Sequence, residues 1–349
     1  MELVRYTPSE VDLSNVQKIR DFLNDEGIPY MEDVDIFGLF YVNDKTTEIR
    51  YVDSLYHKMD NSKRFGESHK GIPHTYFIDI SHENYNKGIR TIWIFDFEMA
   101  QVNEPYMYEG EMVEGFHRQW EVIKNTIRTA CGKIHYRFYA RDCEIREIPN
   151  SELRPFLNTN CFYGYRSANK NIGLYLKKDK NGFKKGTLMF CYTFGMNFYG
   201  NKKHQEDPKV EVIRACTRLH CQVIGGISKC IKYFCETYPI LTIGEQKKEV
   251  EVDKIVFYVD ASHNDSRGMV NSNSSFKFVS WNGTGFINMF TEDVNQDGLK
   301  GRKGEVFMRR PMFHKQIMKA IGEGKIISIA NAGTIVFEMS RKEFMEKLE

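Results

Sequence analysis

The 349-residue sequence lacks any run of 18 uninterrupted apolar residues. Since a helix that crosses a bilayer needs about 20 predominantly apolar residues, we expect no membrane-spanning segment and no membrane partner. The eight cysteines include no Cys-x-x-Cys pair, which argues against a zinc ribbon and against a dithiol redox motif. We therefore expect buried, reduced thiols and a cytoplasmic protein.

An excess of charge of one sign is also missing, because 49 Lys and Arg residues stand against 47 Asp and Glu residues. The formal net charge of +2 does not indicate nucleic-acid binding, so a surface for DNA has to come from local clustering. Basic residues alternate with aromatic ones in segments 136–141 and 162–166, and they cluster without aromatics in 300–303. Lys and Arg contact phosphates and aromatic rings stack on bases, whereas the alternative for each segment is a solvated strand face or loop.

A chain of this length predicts about two domains, and we place their boundary near Pro149. Residues 1–148 follow the order helix, β-hairpin, strand, helix, strand, helix, strand, which predicts a mixed α/β domain. Within it, apolar spacing predicts a helix over 14–27 and a strand over 76–80. At the other end of the chain, residues 326–338 predict a terminal hairpin that turns at 331–333.

The most informative stretch is a hairpin, in which predicted strands 34–42 and 48–56 flank the polar turn 43–45. Asp35 lies on the first predicted strand, while Glu48 and Arg50 are two residues apart on the second and share one face. Asp and Glu oxygens are ligands that Mg²⁺ prefers, and a nearby cation stabilises charge on a phosphate. The alternative is an exposed face whose charges are only solvated.

Several segments of the first half resemble, in order, the motifs of a known nuclease family. They are Val34-Asp-Ile, the run from Ile49 to His57, and the run from His82 to Glu98. This order resembles the Vsr-like nuclease domain of free-standing phage homing endonucleases, a branch of the PD-(D/E)XK nucleases. The segment 139–148 is similar to the segment that ends this domain in the family.

The resemblance implies a restriction-endonuclease-like mixed sheet with flanking helices over 1–148, acting on double-stranded DNA in a phage-infected bacterial cell. It implies Mg²⁺ as cofactor, with Asp35 as the metal-binding aspartate. It also implies that His57 lies beside the scissile phosphate and that His82 and Lys87 form a second basic pair.

If the protein cuts DNA, we expect Asp35 and Glu48 to hold Mg²⁺, and Arg50 or Lys87 to stabilise the phosphorane-like charge. His57 or His82 would then assist proton transfer. However, Arg50 stands where the family usually has Glu, and a guanidinium in place of a carboxylate should weaken Mg²⁺ binding. An active endonuclease and a silent domain that only binds DNA both stay open.

The second half continues the resemblance in short segments, which are 173–175, 187–195, 211–214, 223–229, 260–263 and 331–333. They resemble the carboxy-terminal region of the same endonucleases, which is similar to the Mom DNA-modification proteins and to GNAT-type acyltransferases. The resemblance implies a GNAT-like mixed sheet over 149–349. It also allows two further functions: a DNA-base-modifying acyl-type transferase, and a structural or regulatory protein without catalysis.

One turn in this half has backbone N–H groups that could receive the pyrophosphate of an acyl-CoA. Its candidate residues are Gln222, Gly225, Gly226 and Ser228, between a strand and a helix. The alternative is a Gly-Gly turn that packs a strand closely against a helix. Asp260, Ser262 and His263 at a strand end are candidates for acid, nucleophile or ligand roles, against the alternative of a polar loop.

Overall fold

The computed structural model describes residues 7–58, 72–102, 104–196, 209–243, 248–264, 275–283, 286–296, 298–308 and 314–347. They fall into two compact units. The first takes its residues from Met1–Gln101, Asp260–Asp265 and Trp281–Thr334, and the second from Val102–Val259, Ser266–Ser280 and Ile335–Glu349. The predicted mixed α/β class is confirmed. The predicted domain boundary between residues 148 and 149 stays a prediction.

The elements of the first part of the chain follow one another in this order: α1 (Glu10–Asp25), β1 (Tyr30–Glu32), β2 (Leu39–Val42), β3 (Thr47–Val52), α2 (Tyr76–Asn86), β4 (Arg90–Phe95), α3 (Asp96–Ala100), β5 (Tyr106–Tyr108), β6 (Glu111–Val113), α4 (Arg118–Ala130), β7 (Tyr136–Tyr139), β8 (Cys143–Glu147) and α5 (Asn150–Asn160). A 3-10 turn, Ala140–Asp142, joins β7 to β8.

The remaining elements are β9 (Lys170–Leu176), β10 (Leu188–Met196), β11 (Val210–Thr217), β12 (Cys221–Ile224), α6 (Gly226–Thr237), β13 (Ile240–Ile243), β14 (Lys248–Glu251), β15 (Lys254–Asp260), β16 (Lys277–Asn282), β17 (Phe286–Phe290), β18 (Val294–Gln296), β19 (Leu299–Gly301), β20 (Val306–Met308), α7 (His314–Gly322), β21 (Ile326–Ala330), β22 (Thr334–Ser340) and α8 (Arg341–Glu346). None of the helices in the described part of the chain combines the length and the apolar character that crossing a bilayer requires.

The first unit contains a four-stranded sheet in the order β1-β2-β3-β4, in which β3 and β4 are parallel. Because side chains alternate along a strand, Glu48 and Arg50 point to one face and Ile49 and Tyr51 to the other. Helix α1 lies on the Tyr51 face, where the Tyr51 hydroxyl donates to Asp12 at 2.7 Å. Helix α2 lies on the Glu48 face, so a helix covers each side of the polar strand β3.

The second unit contains a seven-stranded sheet in the order β16-β22-β15-β11-β10-β9-β8. Helix α5 packs its buried Leu153, Phe156 and Leu157 into a core that includes Cys191 of β10. The opposite face of β10 packs against α6, where the ring of Phe194 stacks on Phe234 with centroids 3.8 Å apart. Strand β12, which leads into α6, pairs in parallel with β7 rather than with the large sheet.

The structure corrects several predicted boundaries in the first half. Only residues 39–42 and 47–52 of the predicted hairpin form its strands, although the turn is where the sequence places it. Helix α1 begins at Glu10 rather than at residue 14, because Ser9 and Asp12 form a capping box there. Residues 76–80 are helical, since their apolar side chains belong to a longer pattern in which Phe77, Ile78, Ser81 and Asn84 are the buried positions.

The predicted terminal hairpin is wrong. Strand β21 pairs with β17 in a three-stranded sheet, whereas β22 belongs to the seven-stranded sheet. The turn between them does form at Asn331-Ala-Gly333, where Gly333 has a φ of +86° and the Asn331 side chain accepts from its N–H. A turn signal therefore marks where a strand ends, but the partner of that strand depends on contacts far away in sequence.

Candidate functional site

Glu48 and Arg50 form a buried ion pair on the α2 face of β3. One carboxylate oxygen of Glu48 accepts from Nη2 of Arg50 at 2.7 Å and from its Nε at 2.8 Å. The same oxygen accepts from the Asn84 amide of α2 at 2.8 Å, and that amide also donates to Thr91 of β4 at 2.9 Å. The side chain of Glu48 is only 7% exposed, so the burial of its charge is compensated by these donors.

Arg50 is also the centre of a wider polar cluster in the first unit. Its guanidinium lies 5.5 Å from the ring centroid of Trp93. The loop before β2 brings Asp33 near it, and the backbone N–H groups of Asp35 and Ile36 and the Tyr41 hydroxyl donate to Asp33. These donors, with a smaller contribution from the charge of Arg50, hold the pKa of Asp33 below its usual range.

Asp35 is not on a strand, contrary to the prediction. It lies exposed in the loop that joins β1 to β2, and its backbone N–H donates to Asp33 at 2.9 Å. The alternation argument that joined it to Glu48 and Arg50 therefore does not apply, because alternation holds only within a strand. Asp33 is the residue of this loop that the structure places close to the hairpin's polar face.

The predicted donor set does not fit Mg²⁺ in this arrangement. One of the two carboxylate oxygens of Glu48 already accepts three N–H donors, and the positive charge of the Arg50 guanidinium beside it opposes the approach of a cation. Asp35 belongs to the exposed loop. In the described part of the chain, no group of three or more His, Cys, Asp or Glu residues is placed to hold a metal ion. The Mg²⁺ centre is thus not supported by the geometry of Asp35 and Glu48.

His57 lies near the same cluster, but as a packed side chain. Its Nδ1 lies 2.9 Å from the Asp53 carbonyl, and its ring centroid lies 5.9 Å from those of Tyr76 and Phe77. Burial lowers its pKa to about 4. A ring that stays neutral above this pH binds a phosphate only weakly. A chain of ring contacts runs from His57 through Tyr76 and Trp93 to the guanidinium of Arg50.

His82 and Lys87, the second predicted basic pair, each contact a different residue. The ring of His82 meets Trp281 edge to face, with centroids 4.2 Å apart. Lys87 follows the end of α2 and pairs with Glu83 at 2.5 Å in an exposed ion pair. Of the six predicted nuclease residues, the structure therefore brings only Glu48 and Arg50 into direct contact.

A buried cluster that the sequence only partly indicates surrounds His263. Its Nε2 lies 3.1 Å from Glu98 of α3, and its Nδ1 lies 3.9 Å from Asp260. Burial raises the pKa of Glu98, and for His263 the attraction to Glu98 outweighs burial and raises the pKa. The hydroxyl of Ser262 is buried and accepts from the backbone N–H of Ala332, so its role here is structural. Glu98 ends the run from His82 that carries the family resemblance, but no local pattern indicates His263 as its partner.

In the second unit, the Gly225-Gly226 turn is explained by conformation and packing. Gly225 has a φ of +77°, and a methyl group at Gly226 would come within 3.3 Å of Val223 and 3.5 Å of Leu174 and Phe190. Gln222 and Ser228 are half-buried on either side. The Lys229 amine donates to the carbonyls of Ala140 and Cys143. These contacts support the close-packing alternative, and the acyl-CoA site stays a prediction.

The second unit carries a basic surface on segments 133–142 and 177–185. It consists of Lys133, Arg137, Arg141, Lys177, Lys178, Lys180, Lys184 and Lys185, with the aromatic residues Tyr136 and Tyr139. All of these cations are exposed except Lys180, which is half-buried. The two segments are joined by an Nζ of Lys177 that donates to the Arg141 carbonyl at 3.0 Å.

Aromatic side chains hold this basic surface together. The ring of Phe183 contacts Tyr136 and the buried Phe138 edge to face, at 5.4 and 5.7 Å. The guanidinium of Arg141 lies 4.7 Å from the ring centroid of Tyr139. Only Asp142 and Asp179 carry negative charge on the two segments, so the basic surface has a large local excess of positive charge.

No protein-family model matches the chain, and no curated protein matches it either.

The Glu48–Arg50 pair allows a direct test of whether its role is structural. Arg50→Met should destabilise the protein by about 3 to 5 kcal/mol, because it leaves a buried carboxylate without its counterion. The double variant Glu48→Gln/Arg50→Met should recover most of this loss in a denaturant-unfolding cycle. The matched control is Arg20→Met, which breaks the half-exposed Arg20–Glu32 pair of the same unit and should cost less than about 1 kcal/mol. Equal losses of unfolding free energy in Arg50→Met and Arg20→Met would contradict a structural role for the Glu48–Arg50 pair.

Two buried groups of the first unit predict pH effects of opposite sign. For His57, folding lowers the pKa from 6.5 to about 4. The stabilisation that the neutral ring gives to the folded state is therefore complete above pH 6.5 and is lost as the pH falls through 4. For Asp96, which accepts from Ser54, burial raises the pKa from 3.8 to about 6. Its contribution is complete below pH 3.8 and is lost as the pH rises through 6.

In the wild type these two slopes offset each other between about pH 4 and 6. His57→Phe should therefore give an unfolding free energy that falls with rising pH in this window, and Asp96→Asn one that rises. The change in each case should be at most about 3 kcal/mol. Denaturant unfolding at half-unit pH steps measures both, and parallel profiles for the two variants would contradict the prediction.

Proposed function

We propose that this chain is a DNA-binding protein that contacts DNA phosphates through the basic surface of its second unit. The single observation that carries the proposal is that eight cations and two exposed tyrosines lie on two joined segments of a chain whose overall charge is nearly balanced. Phosphate contacts of this kind supply most of the affinity of non-specific DNA binding. The resemblance to phage homing endonucleases gives double-stranded DNA as the expected partner.

We further propose that Asp35 and Glu48 do not form a cleavage centre. The polar face of the hairpin resembles a nuclease centre in sequence, but the guanidinium of Arg50 neutralises Glu48 from within the protein. The guanidinium already compensates the charge of the carboxylate, so a Mg²⁺ ion would have to bind beside a fixed positive charge. The first unit then acts as a scaffold, and DNA binding depends on the second unit.

The DNA-binding proposal predicts a salt dependence that specific variants reduce. Fluorescence anisotropy with a labelled duplex should give a log Kd that rises linearly with log salt, by about 0.9 for each phosphate contacted. The variant Lys184→Gln/Lys185→Gln should weaken binding about ten-fold or more at physiological salt and reduce the slope by about 2.

The matched control removes two charges elsewhere in the same unit. Lys232→Gln/Lys342→Gln takes away two exposed lysines that pair with Glu236 and Glu346 on their own helices. It should leave both affinity and slope close to the wild-type values. If the two double variants weaken binding equally, the effect is one of net charge and the basic surface is not the DNA-binding site.

Incubation of supercoiled plasmid with the protein and Mg²⁺ tests the second proposal. We expect no more nicked or linear plasmid than without protein, and the same result for Asp35→Ala and Glu48→Gln. Cleavage that requires Mg²⁺ and disappears in either variant would contradict it. Cleavage that persists unchanged in both would place the active centre at other residues.

A further inference from the structure

Two arginines of the second unit converge on one turn. Arg118 is the first residue of α4, and Arg214 lies on β11. The Nε of Arg118 donates to the Phe162 carbonyl at 3.2 Å, and the Nε of Arg214 donates to the Gly164 carbonyl at 2.9 Å. A methyl group at Gly164, whose φ is +64°, would come within 3.1 Å of Nη1 of Arg118. The two guanidinium groups therefore bracket the same three residues.

No carboxylate pairs with either arginine in the part of the chain that the structure describes. Arg214 donates from Nε and Nη1 to the carbonyls of Gly164 and Ile213, at 2.9 and 2.7 Å, and Arg118 donates from Nε to the carbonyl of Phe162, so the protein partners of both guanidinium groups are neutral carbonyl oxygens. Burial lowers the pKa of Arg118, and the like charge of Arg214 lowers it further. Two half-buried cations that no described carboxylate neutralises are unfavourable, and a bound anion would relieve this cost.

The surroundings identify the kind of anion. Nη1 and Nη2 of Arg118 are parallel donors that match two oxygens of a phosphate, and Nη2 of Arg214 adds a further donor. The two positive charges balance the double charge of a phosphate. Arg118 also begins a helix of 13 residues, and the N-terminal end of a helix favours an anion. Beside the pair, the ring of Tyr163 is 47% exposed, with the Arg214 guanidinium 5.8 Å from its centroid. An exposed ring next to a phosphate position is suited to stack on a base.

We propose that Arg118 and Arg214 bind the phosphate of a nucleotide and that Tyr163 stacks on its base. The segment 162–166 supplies the ring of Tyr163 and the turn at Gly164. None of its residues belongs to the basic surface. The proposal concerns a small ligand and does not rest on DNA binding.

Isothermal titration calorimetry of the full chain with three probes tests this site without DNA. We expect deoxyadenosine monophosphate to bind with one site per chain, inorganic phosphate to bind more weakly, and deoxyadenosine to give no measurable heat. Absence of binding by both phosphate probes at millimolar concentration would overturn the site. Equal affinity for inorganic phosphate and the nucleotide would overturn the role of Tyr163.

Variants separate the two parts of the site. Arg118→Gln and Arg214→Gln should each weaken both phosphate probes about ten-fold or more, the loss of a charge-assisted hydrogen bond. Tyr163→Ala should weaken the nucleotide about five-fold or more and leave inorganic phosphate unchanged. Because its side chain is exposed, this variant keeps the test valid even if the arginine variants lower the thermal stability. Loss of phosphate binding in Tyr163→Ala, or no loss in either arginine variant, would contradict the proposal.

The control is Arg146→Gln, which removes another arginine of the same unit that lies over a tyrosine ring, 3.7 Å from the centroid of Tyr175. Its affinities for both phosphate probes should equal those of the wild type. A loss as large as that of Arg214→Gln would attribute the binding to general positive charge and overturn the assigned site.

Discussion

The constraint on which the first unit depends is the burial of a carboxylate on a sheet face. Glu48 lies under helix α2, where an uncompensated charge would be costly. Arg50, two residues along the same strand, supplies the counterion, and Asn84 connects the carboxylate to α2 and to Thr91 of β4. One set of hydrogen bonds thus links α2 to β3 and β4 and compensates the buried charge on this face. The same bonds occupy one of the two carboxylate oxygens that a metal ion could bind.

In contrast to the buried Glu48–Arg50 pair, most of the positive charges on the basic surface of the second unit are exposed. All cations of the basic surface except Lys180 are exposed. Lys177 and Arg141 contact a carbonyl group and a ring, and Lys180 and Lys184 pair with the two aspartates of the surface. Exposed charges of this kind add little to folding stability, but they raise the local potential that an approaching polyanion meets. The net charge of the whole chain does not indicate this basic surface, because acidic residues elsewhere balance its positive charges.

Much of the local structure was predictable from the sequence. The turn at 43–45, the shared face of Glu48 and Arg50, and strand β4 follow from alternation and turn chemistry, which act over a few residues. The helix at Tyr76–Asn86 was mistaken for a strand because a short apolar run fits either structure. Asp35 was misplaced because its strand begins four residues later, and a shift of this kind invalidates any argument from alternation.

Other features could not be predicted because they depend on residues distant in sequence. Glu98 and His263 are 165 residues apart, and Arg118 and Arg214 meet only through the turn at Gly164. Neither member of these pairs has a local signal for its partner. The separation of β21 and β22 into different sheets has the same origin, because β21 pairs with β17, about 40 residues earlier in the sequence, and not with the strand that follows it.

The central claim is that DNA meets the second unit at the basic surface and not the polar face of the hairpin. Photo-cross-linking to a duplex that contains 5-bromodeoxyuridine, followed by mass spectrometry of the tryptic peptides, measures this directly. The account predicts cross-links to peptides that contain Tyr136, Tyr139 or Phe183. Cross-links confined to the peptides of residues 33–57 would contradict it.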